Sequence, residues 1–141
     1  MSATPQLPDD DAVGARLYDF ALVGAGAAGL ILAHRLLDRF PAAQALLVDP
    51  GFADLANRTF AFWHEGEPPF AELVSRTWDR VEVVAGERSI EAPLDRHRYH
   101  VIEGARFRDG MLAALAETGR ARYRRASVRA IEDAGDHALV R

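Results

Sequence analysis

The stretch from Tyr18 to Pro50 reads YDFALVGAGAAGLILAHRLLDRFPAAQALLVDP, and it decides the fold of this 141-residue chain. An apolar run precedes three glycines, a helical pattern covers about 27–39, and a second apolar run at 45–48 ends on Asp49. This order predicts a strand, a tight turn, a helix and a second strand parallel to the first, since a helical connection joins parallel strands. The stretch therefore indicates an open α/β sheet.

The three glycines have the GxGxxG spacing of a dinucleotide-binding loop. The first glycine permits a sharp turn, the second lets a pyrophosphate approach the backbone, and the third lets the helix pack close to the strand. The N-terminus of the helix adds free N–H groups and a partial positive charge. The residues predicted to bind the pyrophosphate are Gly24, Ala25, Gly26, Ala27, Ala28 and Gly29.

Asp49 follows the motif by about 20 residues, where the dinucleotide fingerprint has an acid that hydrogen-bonds a ribose. An acid at this place, instead of an arginine, favours an unphosphorylated ribose, as in FAD or NAD. The alternative is a glycine-rich turn that only permits tight packing. The strand before the motif, the helix after it and the acid beyond it all count against that alternative.

The composition limits the domain count and the classes of function. The chain is 49% hydrophobic and 27% charged, as expected of one soluble domain, and its net charge of −4 argues against a nucleic-acid partner. Without cysteine there is no disulfide framework and no thiolate metal site. No apolar run has the length of a transmembrane helix, and residues 1–16 predict a disordered acidic tail instead of a signal peptide. A cytoplasmic protein is expected.

Residues 17–141 are predicted to be the N-terminal part of one Rossmann-like domain that carries an inserted β-rich segment at 59–103. The predicted elements of the insertion are a short helix at 70–78, a hairpin of strands at 80–85 and 88–94, and a strand at 98–102. After it come a helix at 104–118, a third parallel strand at 121–125 and a hairpin of 127–132 with 137–141. Since the chain stops within a strand pattern, we expect a sheet that is incomplete at the C-terminus.

Two further segments resemble the lycopene cyclase family of carotenoid biosynthesis. They are NRTFAFWH at 57–64 and PLDRHRYHVIEGARFRDGML at 93–112. The family usually has tryptophan where this chain has Phe60, which is a mild departure. The resemblance runs from Tyr18 to Arg141 and covers about the first third of a family member.

The resemblance implies a two-domain FAD protein with a glutathione-reductase-type fold. Such an isomerase closes β-ionone rings at the ends of lycopene, or another acyclic carotenoid, to give γ-carotene and then β-carotene. The implied reaction protonates an end-group double bond, closes the ring through a carbocation and loses a proton. It has no net redox change but requires reduced FAD, for which NADPH is a candidate reductant. The apolar substrate implies a peripheral association with the cytoplasmic membrane.

The resemblance also suggests roles for individual residues. Arg58 is expected near the cofactor, with a solvated loop arginine as the alternative. Phe60, Phe62 and Trp63 line the flavin or the polyene, or form a hydrophobic core, and the core is favoured. The paired glutamates of the family have no counterpart here. No catalytic residue is therefore assigned, and the chain alone is expected to be inactive.

Two other groups of side chains are interpreted without function. His97 and His100 point to opposite faces of a strand, so no metal site is predicted. An arginine cluster is interpreted as a solvated face, with an anionic membrane surface as the alternative. Its members are Arg120, Arg122, Arg124, Arg125 and Arg129.

Two other functions are also compatible with the sequence. An FAD-dependent monooxygenase of aromatic rings or polyprenyl chains shares the glycine motif, although NRTFAFWH argues against it. A truncated dinucleotide-binding module without catalysis is the second. The oligomeric state has no signal in the sequence.

Overall fold

The computed structural model describes most of the chain and divides it into two compact units. The described residues are 7–8, 16–51, 55 and 57–141. The first unit comprises Met1–Leu55 and Arg108–Arg141, and the second comprises Ala56–Phe107. The fold is mixed α/β, as predicted.

The elements follow the predicted order closely. The strands are β1 (Phe20–Val23), β2 (Ala45–Asp49), β3 (Thr59–Glu65), β4 (Arg76–Trp78), β5 (Arg80–Ala85), β6 (Arg88–Pro93), β7 (His97–Glu103), β8 (Ala121–Arg125), β9 (Ile131–Asp133) and β10 (Ala138–Val140). The helices are α1 (Ala27–Arg39) and α2 (Gly104–Glu117).

The first unit is built on a parallel sheet with the order β1-β2-β8. Val23 lies beside Val48, and Asp49 lies beside Arg125, so the carboxyl ends of all three strands meet at one edge. This confirms the predicted open parallel sheet and the assignment of β8 to it. The remaining strands of this unit, β9 and β10, form the predicted C-terminal hairpin.

The core of the first unit combines α1, β2 and α2. Helix α1 contacts β1 and β2. The largest fully buried side chains are Leu30, Leu37, Leu47, Met111 and Leu115. Burying each of them stabilises the fold by about 2 kcal/mol.

The helical spacing of 27–39 predicts one buried face, formed by Leu30, Leu32, Ala33, Leu36 and Leu37, and one member of this face is exposed. Leu32 is 51% exposed, whereas Leu30, Ala33 and Leu37 are buried. At 100° a residue, Leu32 lies about 200° around the helix from Leu30, so it faces away from the sheet. Its predicted burial is therefore wrong.

The second unit contains an antiparallel sheet with the order β3-β7-β4 and a separate hairpin of β5 and β6. Exposure alternates along β3, as a strand with one covered face requires. The hairpin turns at Gly86, whose φ is 62°. The predicted insertion of 59–103 lies inside this unit.

The predicted helix at 70–78 is wrong. Phe70 has φ 59°, one 3₁₀ turn follows at Ala71–Leu73, and Arg76–Trp78 form β4. A left-handed residue cannot continue an α-helix, and pairing of β4 with β7 satisfies the backbone instead. Tertiary pairing therefore overrides the local helical spacing.

Most of the predicted tail lies outside the described residues, but three of its residues have defined contacts. Leu7 is buried, and the Pro8 carbonyl accepts a hydrogen bond from the Tyr123 N–H at 3.1 Å. Arg16 donates to the Gln44 side chain at 2.9 Å. The prediction of disorder does not apply to these three residues. Within the described ranges, no helix has the length and hydropathy needed to cross a membrane.

Candidate nucleotide-binding site

The loop between β1 and α1 turns at Gly24. This residue has φ 97°, and its N–H donates to the Val48 carbonyl at 2.8 Å. A side chain at this φ would be strained, so the sharp turn needs glycine. The bond to β2 places the loop at the carboxyl edge of the sheet, where open α/β sheets bind ligands.

Gly26 is the N-cap of α1 and faces open space. A Cβ placed on it would have nothing within 4 Å. Its carbonyl accepts the Leu30 N–H at 2.9 Å, and no acidic side chain lies in the first turn. The first N–H groups of a helix have no intrahelical acceptor, and the helix dipole adds positive potential. The loop therefore fits an anionic phosphate.

Gly29 is glycine for a different reason. A Cβ on it would lie 2.0 Å from the Gly24 carbonyl oxygen and 3.1 Å from its carbon. The first turn of α1 therefore packs directly on the loop, as the motif predicted.

Asp49 closes this loop with its carboxylate. Its Oδ2 accepts the Ala25 N–H at 2.9 Å, and its Oδ1 accepts the Gly51 N–H at 2.7 Å. A carboxylate has about four lone-pair sites, so it can still accept hydroxyl donors. From the sequence we predicted only the ribose contact of Asp49 and not its two hydrogen bonds to the loop. The Asp-x-Gly spacing of an Asx turn was the available signal.

The end of β8 holds the segment that follows β2. The Tyr123 hydroxyl donates to the Asp49 carbonyl at 2.8 Å, and the Ala126 N–H donates to the same oxygen at 3.2 Å. Arg125 Nε donates to the Pro50 carbonyl at 2.9 Å. Arg125 is exposed, as the interpretation as a solvated face predicted, but this hydrogen bond also fixes its side chain at the turn after β2.

Arg58 belongs to the second unit, whereas the other predicted binding residues lie in the first. It is exposed and precedes β3, and its carbonyl accepts the Gly104 N–H at 2.8 Å. The role of its side chain at a cofactor stays a prediction.

The aromatic residues of β3 are divided between the two faces of the strand. Phe60 packs on Phe107 with ring centroids 5.0 Å apart, and Phe62 packs on His100 at 5.5 Å. Both are half-buried, as a core requires. Trp63 instead lies on the other face of the strand and is 52% exposed. Its ring centroid is 4.6 Å from that of Tyr99. The favoured core interpretation is wrong for Trp63.

A second tryptophan, Trp78, lies beside Tyr99 on the same exposed face. Its ring lies 6.0 Å from that of Tyr99, and it is 41% exposed. In register, both Trp63 and Trp78 lie beside Tyr99. We call Trp63, Tyr99 and Trp78 the aromatic row.

His100 is a buried histidine on the covered face, with 4% of its surface exposed. Its Nδ1 lies 3.0 Å from the Thr77 hydroxyl. Burial, and then the neighbouring charges of His64 and Arg98, lower the pKa of His100. The part of the chain that the structure describes contains no group of three histidine or carboxylate side chains able to hold a metal ion.

Comparison with known proteins identifies similar sequences. Residues 19–141 match the protein family described as "Lycopene cyclase protein". A lycopene beta-cyclase from Pseudescherichia vulneris is 32% identical over 110 residues, which cover 72% of this chain and 27% of that protein. The chain thus spans about a quarter of the length of this relative.

Several solved structures share this fold with the chain at low sequence identity. The halogenase PltM in complex with phloroglucinol and FAD has a TM-score of 0.57 at 14% identity, over 88% of this chain and 31% of the halogenase. The flavin-dependent brominase Bmp2 has a TM-score of 0.52 at 15% identity, over 86% and 32%. Thermovibrio ammonificans THI4 has a TM-score of 0.51 at 13% identity, over 87% and 45%.

Proposed function

The chain belongs to the lycopene cyclase family, and from this premise we propose that it is the FAD-binding part of a lycopene β-cyclase-like flavoprotein. One observation carries the proposal. The glycine loop lies at the carboxyl edge of a parallel sheet and is closed by the Asp49 carboxylate. This arrangement suits a dinucleotide.

Each part of the loop has a role toward FAD. The N-terminus of α1 binds the pyrophosphate, and open space beside Gly26 lets the phosphates reach the backbone. Asp49 accepts a ribose hydroxyl while it holds the N–H groups of Ala25 and Gly51. Because these groups are fixed before the ligand arrives, little ordering is needed on binding.

The reaction we propose for the whole protein is closure of β-ionone rings on lycopene, without net redox change. Reduced flavin would supply an electron-rich partner for the cationic stage, and NADPH is the proposed reductant. A dry pocket strengthens such electrostatic stabilisation. No residue of this chain is assigned as the proton donor.

The second unit is the proposed substrate side. Its aromatic row presents two half-exposed tryptophans and a tyrosine on one face of the sheet. Aromatic faces provide large apolar contact at a small cost in side-chain entropy. A polyene is long, flat and uncharged, so we propose that it lies along this row.

Binding of FAD to the purified chain tests the proposed function. We expect Gly26→Val to lower the affinity at least about tenfold in calorimetry, because its side chain fills the space for the phosphates. The control is Ala61→Val, which places the same valine side chain at an exposed strand position of the second unit. Failure of the unmodified chain to bind FAD would overturn the proposal, and equal binding by Gly26→Val would remove Gly26 from the site.

A further inference from the structure

Arg125 lies at the same sheet edge as the glycine loop and Asp49. Strand β8 runs parallel to β2, with Arg125 directly beside Asp49. Since the sheet order is β1-β2-β8, the edge presents the glycine loop after β1, then Asp49 after β2, then Arg125 at the end of β8.

The guanidinium of Arg125 is held over the turn that follows β2. Its Nε donates to the Pro50 carbonyl at 2.9 Å, and its Nη2 lies 3.9 Å from the position of a Cβ on Gly51. The Gly51 N–H in turn donates to Asp49 Oδ1 at 2.7 Å. One hydrogen bond therefore orients a planar cation beside the ribose acid.

Among the described residues, no ion pair neutralises the charge of this guanidinium. No carboxylate in the described ranges forms an ion pair with Arg125, and its side chain is exposed. Its Nε is occupied by Pro50, which leaves the planar face and the Nη groups available to a ligand.

The order of groups along the edge matches the order of groups in a dinucleotide. Phosphates at the loop and a ribose at Asp49 leave the base at the next strand, β8. We propose that Arg125 contacts the adenine of the bound dinucleotide, with its guanidinium stacked on the base. This assignment rests on the proposed FAD-binding function and adds a specificity-determining residue to it.

Stacking by Arg125 gives a defined chemical consequence. A guanidinium stacks on an aromatic face, and an ammonium lacks the planar surface to do so. A purine offers more stacking area than a pyrimidine. Arg125 therefore favours ADP over UDP, whereas a residue that only positions the loop would affect both nucleotides equally.

The test measures FAD, ADP and UDP binding to the 141-residue chain by calorimetry and by displacement of FAD. We expect Arg125→Ala to lower the affinity for FAD and ADP about fivefold. The affinity for UDP should fall less, so the preference for ADP over UDP is reduced. Arg125→Lys should behave like Arg125→Ala. The matched control is Arg124→Ala, which removes an equal charge from the adjacent exposed position beside Val48 and should bind like the unmodified chain.

The outcomes separate the two proposals. If the unmodified chain binds neither FAD nor ADP, the proposed function fails and the role of Arg125 fails with it. If FAD and ADP bind to the unmodified chain but Arg125→Ala has the same affinities as Arg124→Ala, only the role of Arg125 is overturned. The same holds if the affinities of Arg125→Ala for ADP and UDP fall equally. Full affinity in Arg125→Lys also overturns stacking. Urea unfolding of each variant establishes the folded fraction used in the affinities.

Discussion

At the scale of single residues, Gly26 and Gly29 belong to one motif but are constrained by different contacts. A methyl group on Gly29 would lie 2.0 Å from a backbone oxygen that cannot rotate away, whereas one on Gly26 meets nothing within 4 Å. The motif therefore combines a position required by packing with a position open toward the proposed ligand. Substitution of Gly29 is therefore expected to impair folding stability, and substitution of Gly26 is expected to impair ligand binding.

Gly29→Ala is expected to lower the free energy of unfolding by about 3 kcal/mol, since the clash forces α1 away from the loop. Gly26→Ala should cost less than about 1 kcal/mol, the difference between two N-cap residues. Urea unfolding followed by circular dichroism measures both. Equal stability of the two variants would contradict the close packing of α1 on Gly24.

His100 is expected to make the stability depend on pH. Its folded pKa lies below the ordinary 6.5, so the unfolded chain takes up a proton that the folded chain excludes. The stabilisation is present above pH 6.5 and is lost as the pH falls through the lowered folded pKa. Unfolding in urea between pH 5 and 8 measures this slope.

His100→Gln should flatten that slope, because it removes the buried titrating group. The exposed His97→Gln, three residues earlier on β7, should leave it unchanged. A slope that persists in His100→Gln, or disappears in His97→Gln, would assign the pH dependence to another group.

At the scale of elements, the C-terminus of α1 is held by a residue from another part of the chain. Arg120 donates to the carbonyls of Leu37, Phe40 and Ala43 at 2.9, 3.0 and 3.2 Å. A cation at this end also opposes the negative pole of the helix. The solvated-face interpretation is therefore wrong for Arg120, which is half-buried.

Arg120→Ala is expected to lower the free energy of unfolding by about 2 kcal/mol, because three carbonyls lose a charged donor. Arg120→Lys should recover part of this loss, since it keeps the charge but not the forked geometry. The exposed Arg124→Ala provides the control. An unfolding midpoint for Arg120→Ala equal to that of Arg124→Ala would show that the cap contributes nothing.

Local patterns were sufficient where an element is formed by neighbouring residues. The strand, loop and helix of 20–39 and the hairpin turn at Gly86 were predictable, since periodicity and turn chemistry act over a few residues. The predicted helix at 70–78 failed because β4 exists through its pairing with β7, more than twenty residues away along the chain. Pairing of that kind leaves no local signal.

At the scale of the whole molecule, the same distinction applies to the candidate site. The glycine loop and Asp49 could be found because one supersecondary unit contains both. Arg125 could not, since β8 reaches the site after a separation of more than seventy residues. Its neighbours Tyr123 and Arg120 also make contacts that only the folded chain reveals.

The family assignment leads to a prediction for the chain as a whole. It spans 27% of the length of its lycopene beta-cyclase relative, and the paired glutamates expected of the family have no counterpart in it. The ring closure proposed for the whole protein would need a proton donor and an enclosed apolar pocket as well as a flavin. In cells that accumulate lycopene, expression of this chain alone should therefore leave the lycopene unconverted.

Pigment chromatography measures the result, and the relative from Pseudescherichia vulneris, expressed in the same cells, is the positive control. Formation of γ-carotene or β-carotene by this chain would contradict the prediction and place the proton donor within its 141 residues. If lycopene stays unconverted while the purified chain binds FAD, cofactor binding and cyclisation are separable, and the chain supplies the first of them.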